Sequence, residues 1–324
     1  MTMKKITYIA DIDADVDDLI AARYLKDKGV LGAVVLDPKP VSDTGFKRVE
    51  ILKNLGIDVR DSIPEDTDTI FIGGALTIVA EFVKTHKLAN LVMNGGFVGC
   101  NLVPEDHVLE KFTGKVSIRT FNFNCDVKAA DYVLSSPNID KIVLVGKNVC
   151  HHPKNTAEGI WKTFKPMIEG EYRVRPGKLQ HDMLACREGL VALGYIDEPA
   201  LCIYRKVYPF NHGLKGNMTQ WGSTIYPEPD NTYREVLAAV DWVRFSYIPM
   251  QNAEEKTIVL TRNNFARHSE ASLQACIEMH KYLKLHPEMD NLEHIKERRD
   301  MIWAKTVELF NDPNFKPDDP EQQQ

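Results

Sequence analysis

The sequence predicts an α/β fold: an open, mostly parallel twisted sheet with helices on both faces. Three observations lead there. Short apolar runs alternate with helical patterns through the first half, the order expected of strand–helix–strand units. The first helical pattern carries its own punctuation, with Asp17 and Asp18 at its start, where carboxylates complement the helix dipole, and Gly29 at its end. A chain of 324 residues is also long enough to bury one large core with an appendage, or two smaller ones.

In chain order, strands are expected over residues 6–10, 31–36, 69–72, 91–93, 116–120 and 142–145, with helices over 17–28, 45–55, 78–86, 105–112 and 127–134. Ligands of such sheets bind beyond the carboxyl ends of the strands, so chemistry should collect in the loops after Ala10, Ile72, Met93, Thr120 and Val145. After Pro153 the pattern is mixed. Helices are expected near 155–169 and 178–193, a β-rich stretch over 200–207 and a further strand at 236–240. Residues 1–250 are read as the α/β domain. Residues 251–311 are read as a helical extension packed on it through amphipathic helices at 268–283 and 291–310, and 312–324 as a tail too polar and Pro-rich to pack.

A formal charge of −6 argues against a nucleic-acid partner, which usually requires a basic face, and favours a small polar metabolite. The six cysteines follow no CxxC spacing and several lie in apolar surroundings, which fits free thiols in a reducing compartment. The opening MTMKKITYIAD runs directly into a strand without a long apolar segment. Neither a signal peptide nor a membrane span is expected, and the protein is read as cytoplasmic. Its state of assembly is left open, a homo-oligomer included.

The densest chemical signal is Asp11-Ile12-Asp13-Ala14-Asp15-Val16-Asp17-Asp18, five carboxylates in eight residues directly after a buried strand. Like charges this close repel, so without a cation some must take up protons or face water. A solvated helix N-terminus is the bland alternative, yet a cap needs one or two acids. An EF-hand loop would need Gly at its sixth position and Glu at its twelfth, where this chain has Val16 and Ala22. A phosphohydrolase of the haloacid dehalogenase type also begins with a strand and two alternating aspartates, and stays open as the alternative. Its loop continues with Gly and then Thr or Val, however, and here Ala14 and Asp15 follow.

The chain resembles the nucleoside hydrolase family at six places in the right order, over about residues 4–250. Asp11, Asp13, Asp17 and Asp18 fall on the four acids of its D-x-D-P-G-x-D-D segment, with Ala14 and Asp15 in place of Pro-Gly. Gly73-Gly74-Ala75-Leu76-Thr77 is similar to its T-G-P-L-T-N turn, and Asn94-Gly95-Gly96 to its M-G-G, with Asn101 near a sugar-binding Asn. Phe121-Asn122 with Asp126 and Ala129-Ala130 resembles E-F-N-x-x-x-D-P-E-A-A. Val145-Gly146 through Val149-Cys150-His151 resembles G-L-D-V-T-H, and His181-Asp182-Met183-Leu184-Ala185 resembles H-D-x-x-A.

The resemblance implies an N-ribohydrolase in which Asp13, Asp18, Asp182 and the Gly73 carbonyl hold one Ca²⁺, all of them hard oxygen donors. It implies that Asp13 takes a proton from the attacking water and that Asp17, Asn122 and Asp182 bind the ribose hydroxyls, with Asn101 and Asp37 at further sugar-binding positions. His181 is the available acid for the leaving base. The substrate would be a nucleoside or nucleotide.

There are departures from the family pattern. Thr120 replaces the Glu that precedes Phe-Asn and helps bind the 5′-hydroxyl, an insertion spans 105–115, and the segment 61–68 is too short to hold the family's H-G-x-S-G-L. Lys115 and Arg119 lie shortly before Thr120. With the repelling Glu gone, they raise the expectation that 5′-monophosphates are accepted; the alternative is that they flank a strand and face water. A catalytically silent nucleoside-binding protein is a third reading. His151-His152 are read as the start of a loop, and Trp221 and Trp242 as core or pocket wall.

Overall fold

The computed structural model describes residues 5–13, 15–37, 43–97, 108–113, 118, 120–213, 219–224, 234–242, 271, 274–275, 278–279, 281–289 and 294–315. The strand β1 (Ile6–Ala10) is buried at every position, as expected of a mostly apolar strand whose sheet is covered on both faces. It pairs in parallel with β2 (Leu31–Leu36) on one side and β4 (Thr69–Ile72) on the other. Beyond β2 lies the two-residue β3 (Val59–Arg60), and beyond β4 come β5 (Leu88–Met93), β6 (Ile139–Val145) and β9 (Val236–Trp242), all parallel. Two antiparallel strands, β7 (Cys202–Gly213) and β8 (Thr219–Thr224), complete the order β3-β2-β1-β4-β5-β6-β9-β7-β8. The strand order reverses between β1 and β4, and a crevice opens there beyond the carboxyl ends of the two strands.

Alternate side chains feed two cores, as the two-residue period of a strand requires. Tyr8 and Phe71 join Leu19, Leu25, Met183, Leu190 and Trp161 on one face. Ile9, Ile70 and Ile72 join Val79, Val133 and Leu134 on the other. The first face carries α1 (Asp17–Asp27), which packs on α7 (His181–Ala192). The second carries α3 (Thr77–Phe82) against α5 (Val127–Ser135). Each fully buried Leu or Ile contributes on the order of 2 kcal/mol by leaving water. Further helices are α2 (Asp43–Asn54), α4 (Phe121–Cys125), α6 (Lys147–Cys150) and α8 (Ile295–Asn311). Ile302 of α8 buries against Ala275 and Met279 in a small separate cluster.

Several elements differ from expectation. The helix expected over 155–169 is instead a chain of turns with a 3-10 turn at Lys162–Phe164 and a π-turn at Pro166–Glu171. Its start is held by a side chain: Asn155 donates to the Cys150 and Gln180 carbonyls and accepts from the Trp161 indole. Ile118 and Thr120 of the strand expected over 116–120 are not in a strand, and Thr120 instead precedes α4; the other three residues lie outside the described set. Of the helix expected over 105–112, the described part is a 3-10 turn, Glu110–Phe112.

Candidate functional site

A cleft of about 300 Å³ opens at the strand-order reversal, lined by residues from the ends of β1, β4, β5 and β6 and from the starts of α1, α4, α6 and α7. Its floor is acidic. Asp17 and Asp18 enter from the first turn of α1 and Asp182 from the first turn of α7, and all three are at least 95% buried. Each offers an oxygen such that the three atoms lie within 4.8 Å of one another. The α1–α7 contact brings these distant segments together.

The backbone of Gly73 makes room for them. A Cβ there would sit 2.4 Å from Asp18 Oδ1, 2.7 Å from the Tyr8 hydroxyl and 2.9 Å from Asp182 Cγ, so a side chain at 73 would take the space the carboxylates fill. Gly146 plays the same part at the end of β6: a Cβ would lie 2.2 Å from the Gly96 carbonyl, which accepts from the Lys147 amide at 3.0 Å.

Neutral donors hold the acids in place. Tyr8 donates to Asp18 Oδ1 at 2.7 Å, and Asn94 Nδ2 donates to Asp182 Oδ1 at 2.8 Å. Asn122 donates from Nδ2 to the carbonyls of Gly73 and Asn94, both at 2.8 Å. Lys178 donates to Asp15 and lies 3.9 Å from Asp17.

Burial pushes Asp17 up to about 6, with Lys178 pulling it down and Asp15 pushing it up. Burial, followed by the neighbouring acids, holds Asp18 and Asp182 well above the carboxylate range. Asp17 Oδ1 is buried without a hydrogen-bond partner. Three hard oxygen donors, one with an orphaned atom and all costly to ionise together, fit a hard divalent cation.

The other side of the cleft is basic and imidazole-rich. His151 and His181 pack edge to face with centroids 4.9 Å apart. Burial, then neighbouring cations, lowers His181 to about 4; burial, then His181, lowers His151 to about 3. Both rings are therefore neutral near pH 7.

The expected site residues divide accordingly. Asp17, Asp18, Gly73, Thr120, Asn122, His181 and Asp182 line the cleft together. Asp13 lies in the turn after β1 and does not line it, and Asp17 takes its place in the three-carboxylate group. Asp37 is buried, its Oδ2 3.6 Å from where a Cβ on Gly74 would be, and does not line the cleft either. The Gly73 carbonyl, expected at the metal, accepts from Asn122 and has a second lone pair. Asn101, Lys115 and Arg119 lie outside the described residues. Sequence reasoning assigned no role to Lys147, Lys178 or Tyr8; His151 closes the stretch that resembles G-L-D-V-T-H but was otherwise read as the start of a loop.

No family model matches the chain. A curated protein of Aquifex aeolicus (strain VF5), described as an uncharacterized protein, is 26% identical over 169 residues, 48% of this chain and 54% of that protein. The chain thus spans about half the length of that relative. Among solved structures, an inosine-guanosine nucleoside hydrolase matches with a TM-score of 0.41 and 14% identity, over 74% of this chain and 94% of that one. A likeness of this extent carries no chemistry with it. Among the described residues no helix is long and apolar enough to cross a membrane.

Proposed function

We propose that the protein is a calcium-dependent N-ribohydrolase, which cleaves the N-glycosidic bond of a ribonucleoside or related riboside and acts in nucleoside metabolism. The observation that carries this reading is the convergence of Asp17, Asp18 and Asp182 against the Gly73 backbone. These are four of the positions at which the sequence resembles the nucleoside hydrolases.

Asp17, Asp18 and Asp182 would hold the Ca²⁺, which when bound polarises water and sugar hydroxyls. The chain's own groups do the rest. Both Nδ2 hydrogens of Asn122 are engaged by carbonyls, which leaves its Oδ1 to accept from a ribose hydroxyl. The acidic floor stabilises the positive charge that builds on the sugar ring as the bond to the base breaks. Asp17, whose buried Oδ1 has no hydrogen-bond partner, would take the proton of the attacking water, the role the resemblance gives to Asp13. His181, held neutral, offers an N–H hydrogen bond to the departing base. Phe121 lines the cleft yet is 59% exposed, which gives the base an apolar face to stack on.

Incubation with a panel of nucleosides and 5′-nucleotides, with Ca²⁺ and with chelator, tests this. Release of free base that requires Ca²⁺ is the expected result. Release of phosphate instead would point to a dehalogenase-type phosphohydrolase, and binding without turnover to a silent nucleoside-binding protein.

A further inference from the structure

At the basic end of the cleft, Lys147 meets no counter-charge among the described residues. Lys147 opens α6 and lines the cleft, and its Nζ reaches one side chain among the described residues, His151 Nε2 at 3.4 Å. On the opposite ring nitrogen, Lys111 Nζ lies 2.7 Å from His151 Nδ1. A neutral imidazole has one acceptor nitrogen and one N–H, so only one of the two ammonium groups can donate to it. No described carboxylate pairs with Lys147. Burial, with Lys111 nearby, lowers the Lys147 pKa, as expected of a cation lacking a counter-charge. In the same cleft the Thr120 hydroxyl is 2% exposed and has no hydrogen-bond partner.

These groups are tied to the acidic floor through two rings packed edge to face. His151 lies between Lys147 and His181, and His181 directly precedes Asp182. One ligand can therefore meet both poles, with hydroxyls at the carboxylates and an anion at the lysines. The Lys147 ammonium has three N–H donors, of which the His151 ring can take at most one, and with the Thr120 hydroxyl it calls for several acceptor oxygens. A phosphomonoester offers three and close to two negative charges, where a carboxylate offers two and one.

We propose that Lys147, Lys111 and Thr120 form a phosphate subsite, so that the preferred substrate is a riboside bearing a phosphomonoester on its sugar. The location of the sugar rests on the ribohydrolase reading, but the anion subsite does not.

Titration calorimetry in Ca²⁺ with ribose, ribose 5-phosphate and inorganic phosphate tests it on wild type, Lys147→Met, Lys147→Arg and the more exposed Lys111→Met. Ribose 5-phosphate should bind about tenfold or more tighter than ribose. That ratio should fall about fivefold or more in Lys147→Met, fall less in Lys111→Met and persist in Lys147→Arg. The ratio of kcat/KM for matched 5′-monophosphates and nucleosides should follow it. Equal affinity for the two sugars, a ratio indifferent to Lys147, or phosphate binding with no gain from the attached ribose would each overturn the subsite. Lys147-dependent binding of ribose 5-phosphate with no release of base from any riboside would support the subsite and sink the hydrolase reading. Cleavage of free nucleosides with no Lys147-dependent ratio would do the reverse.

Discussion

The helix α7 carries two buried carboxylates in opposite situations. Glu188 is fully buried, and its oxygens accept from Arg187, from the Leu201 and Cys202 amides at 3.1 Å and from the Tyr204 hydroxyl at 3.1 Å. It latches α7 to the start of β7, and its charge faces the guanidinium of Arg187. Asp182 is 5% exposed, receives a side-chain donor from Asn94, and faces two further acids. Burial is common to both, so burial is not what marks a site. Unbalanced charge is: Glu188 is complete within the fold, whereas Asp182, Asp17 and Asp18 reach balance only with protons or a cation.

Exchanging each acid for its amide should separate the two roles most widely. Glu188→Gln leaves Arg187 without its closest counter-charge and should cost on the order of 3 kcal/mol of stability, while the Ca²⁺-induced rise in melting temperature survives. Asp182→Asn keeps an acceptor for Asn94 and removes one of three clustered acids. It should melt in chelator no lower than wild type, lose the Ca²⁺-induced rise, and release base roughly a hundredfold to a thousandfold more slowly. An Asp182→Asn protein that is destabilised in chelator yet still responds to Ca²⁺ would make the cluster structural, like Glu188.

The same contrast explains what was legible in the sequence. β1, β2 and β4 match expectation residue for residue because each is a short, mostly apolar run followed directly by Asp or Gly. β5 begins earlier than expected because Asn90 interrupts its apolar run, and β3 is too short for any period to show. The acids could be found because they cluster along the chain and because His181-Asp182 resembles a known pair. Glu188 could not, since its partners come from a later strand. Lys147 and Lys178 were missed because a lysine at a helix start or in a loop carries no periodicity. Only the fold brings Lys178 to Asp15 and Lys147 to the cleft.

Within the acidic segment itself, Asp13 and Asp17 differ as well. The resemblance makes Asp13 ligand and base and gives Asp17 to the sugar, whereas in the fold Asp13 is not among the residues lining the cleft and Asp17 belongs to the three-carboxylate group. Steady-state kinetics on Asp17→Asn and Asp13→Asn decide between these. Asp17→Asn should lower kcat/KM by about a hundredfold or more, and Asp13→Asn by less than about tenfold. The opposite ranking would restore the role the resemblance gives to Asp13.

The smallest effect is the most diagnostic of charge balance, and it is read from the pH dependence of Ca²⁺ stabilisation. In chelator, Asp17 has a folded value of about 6 against an ordinary value of 3.8, and Asp18 and Asp182 are raised as well. A raised folded pKa gives stability that is present at low pH and lost as pH climbs through the folded value, so the cluster weakens the chelated protein from about pH 4 upward. Bound Ca²⁺ holds the same carboxylates ionised, and protons then compete with it. At pH 5 Asp17 alone, one unit below its folded value, weakens the apparent affinity about tenfold relative to pH 7.5, or about 1.4 kcal/mol. His181 and His151, lowered to about 4 and about 3, contribute stability that is lost as pH falls below about 6.5. That loss is shared by the chelated and loaded forms, and subtracting the two melts cancels most of it. The difference in melting temperature between millimolar Ca²⁺ and chelator should therefore be larger at pH 7.5 than at pH 5, and the slope should vanish in Asp182→Asn. A difference independent of pH in the wild type would show that the cation binds somewhere other than the buried acids.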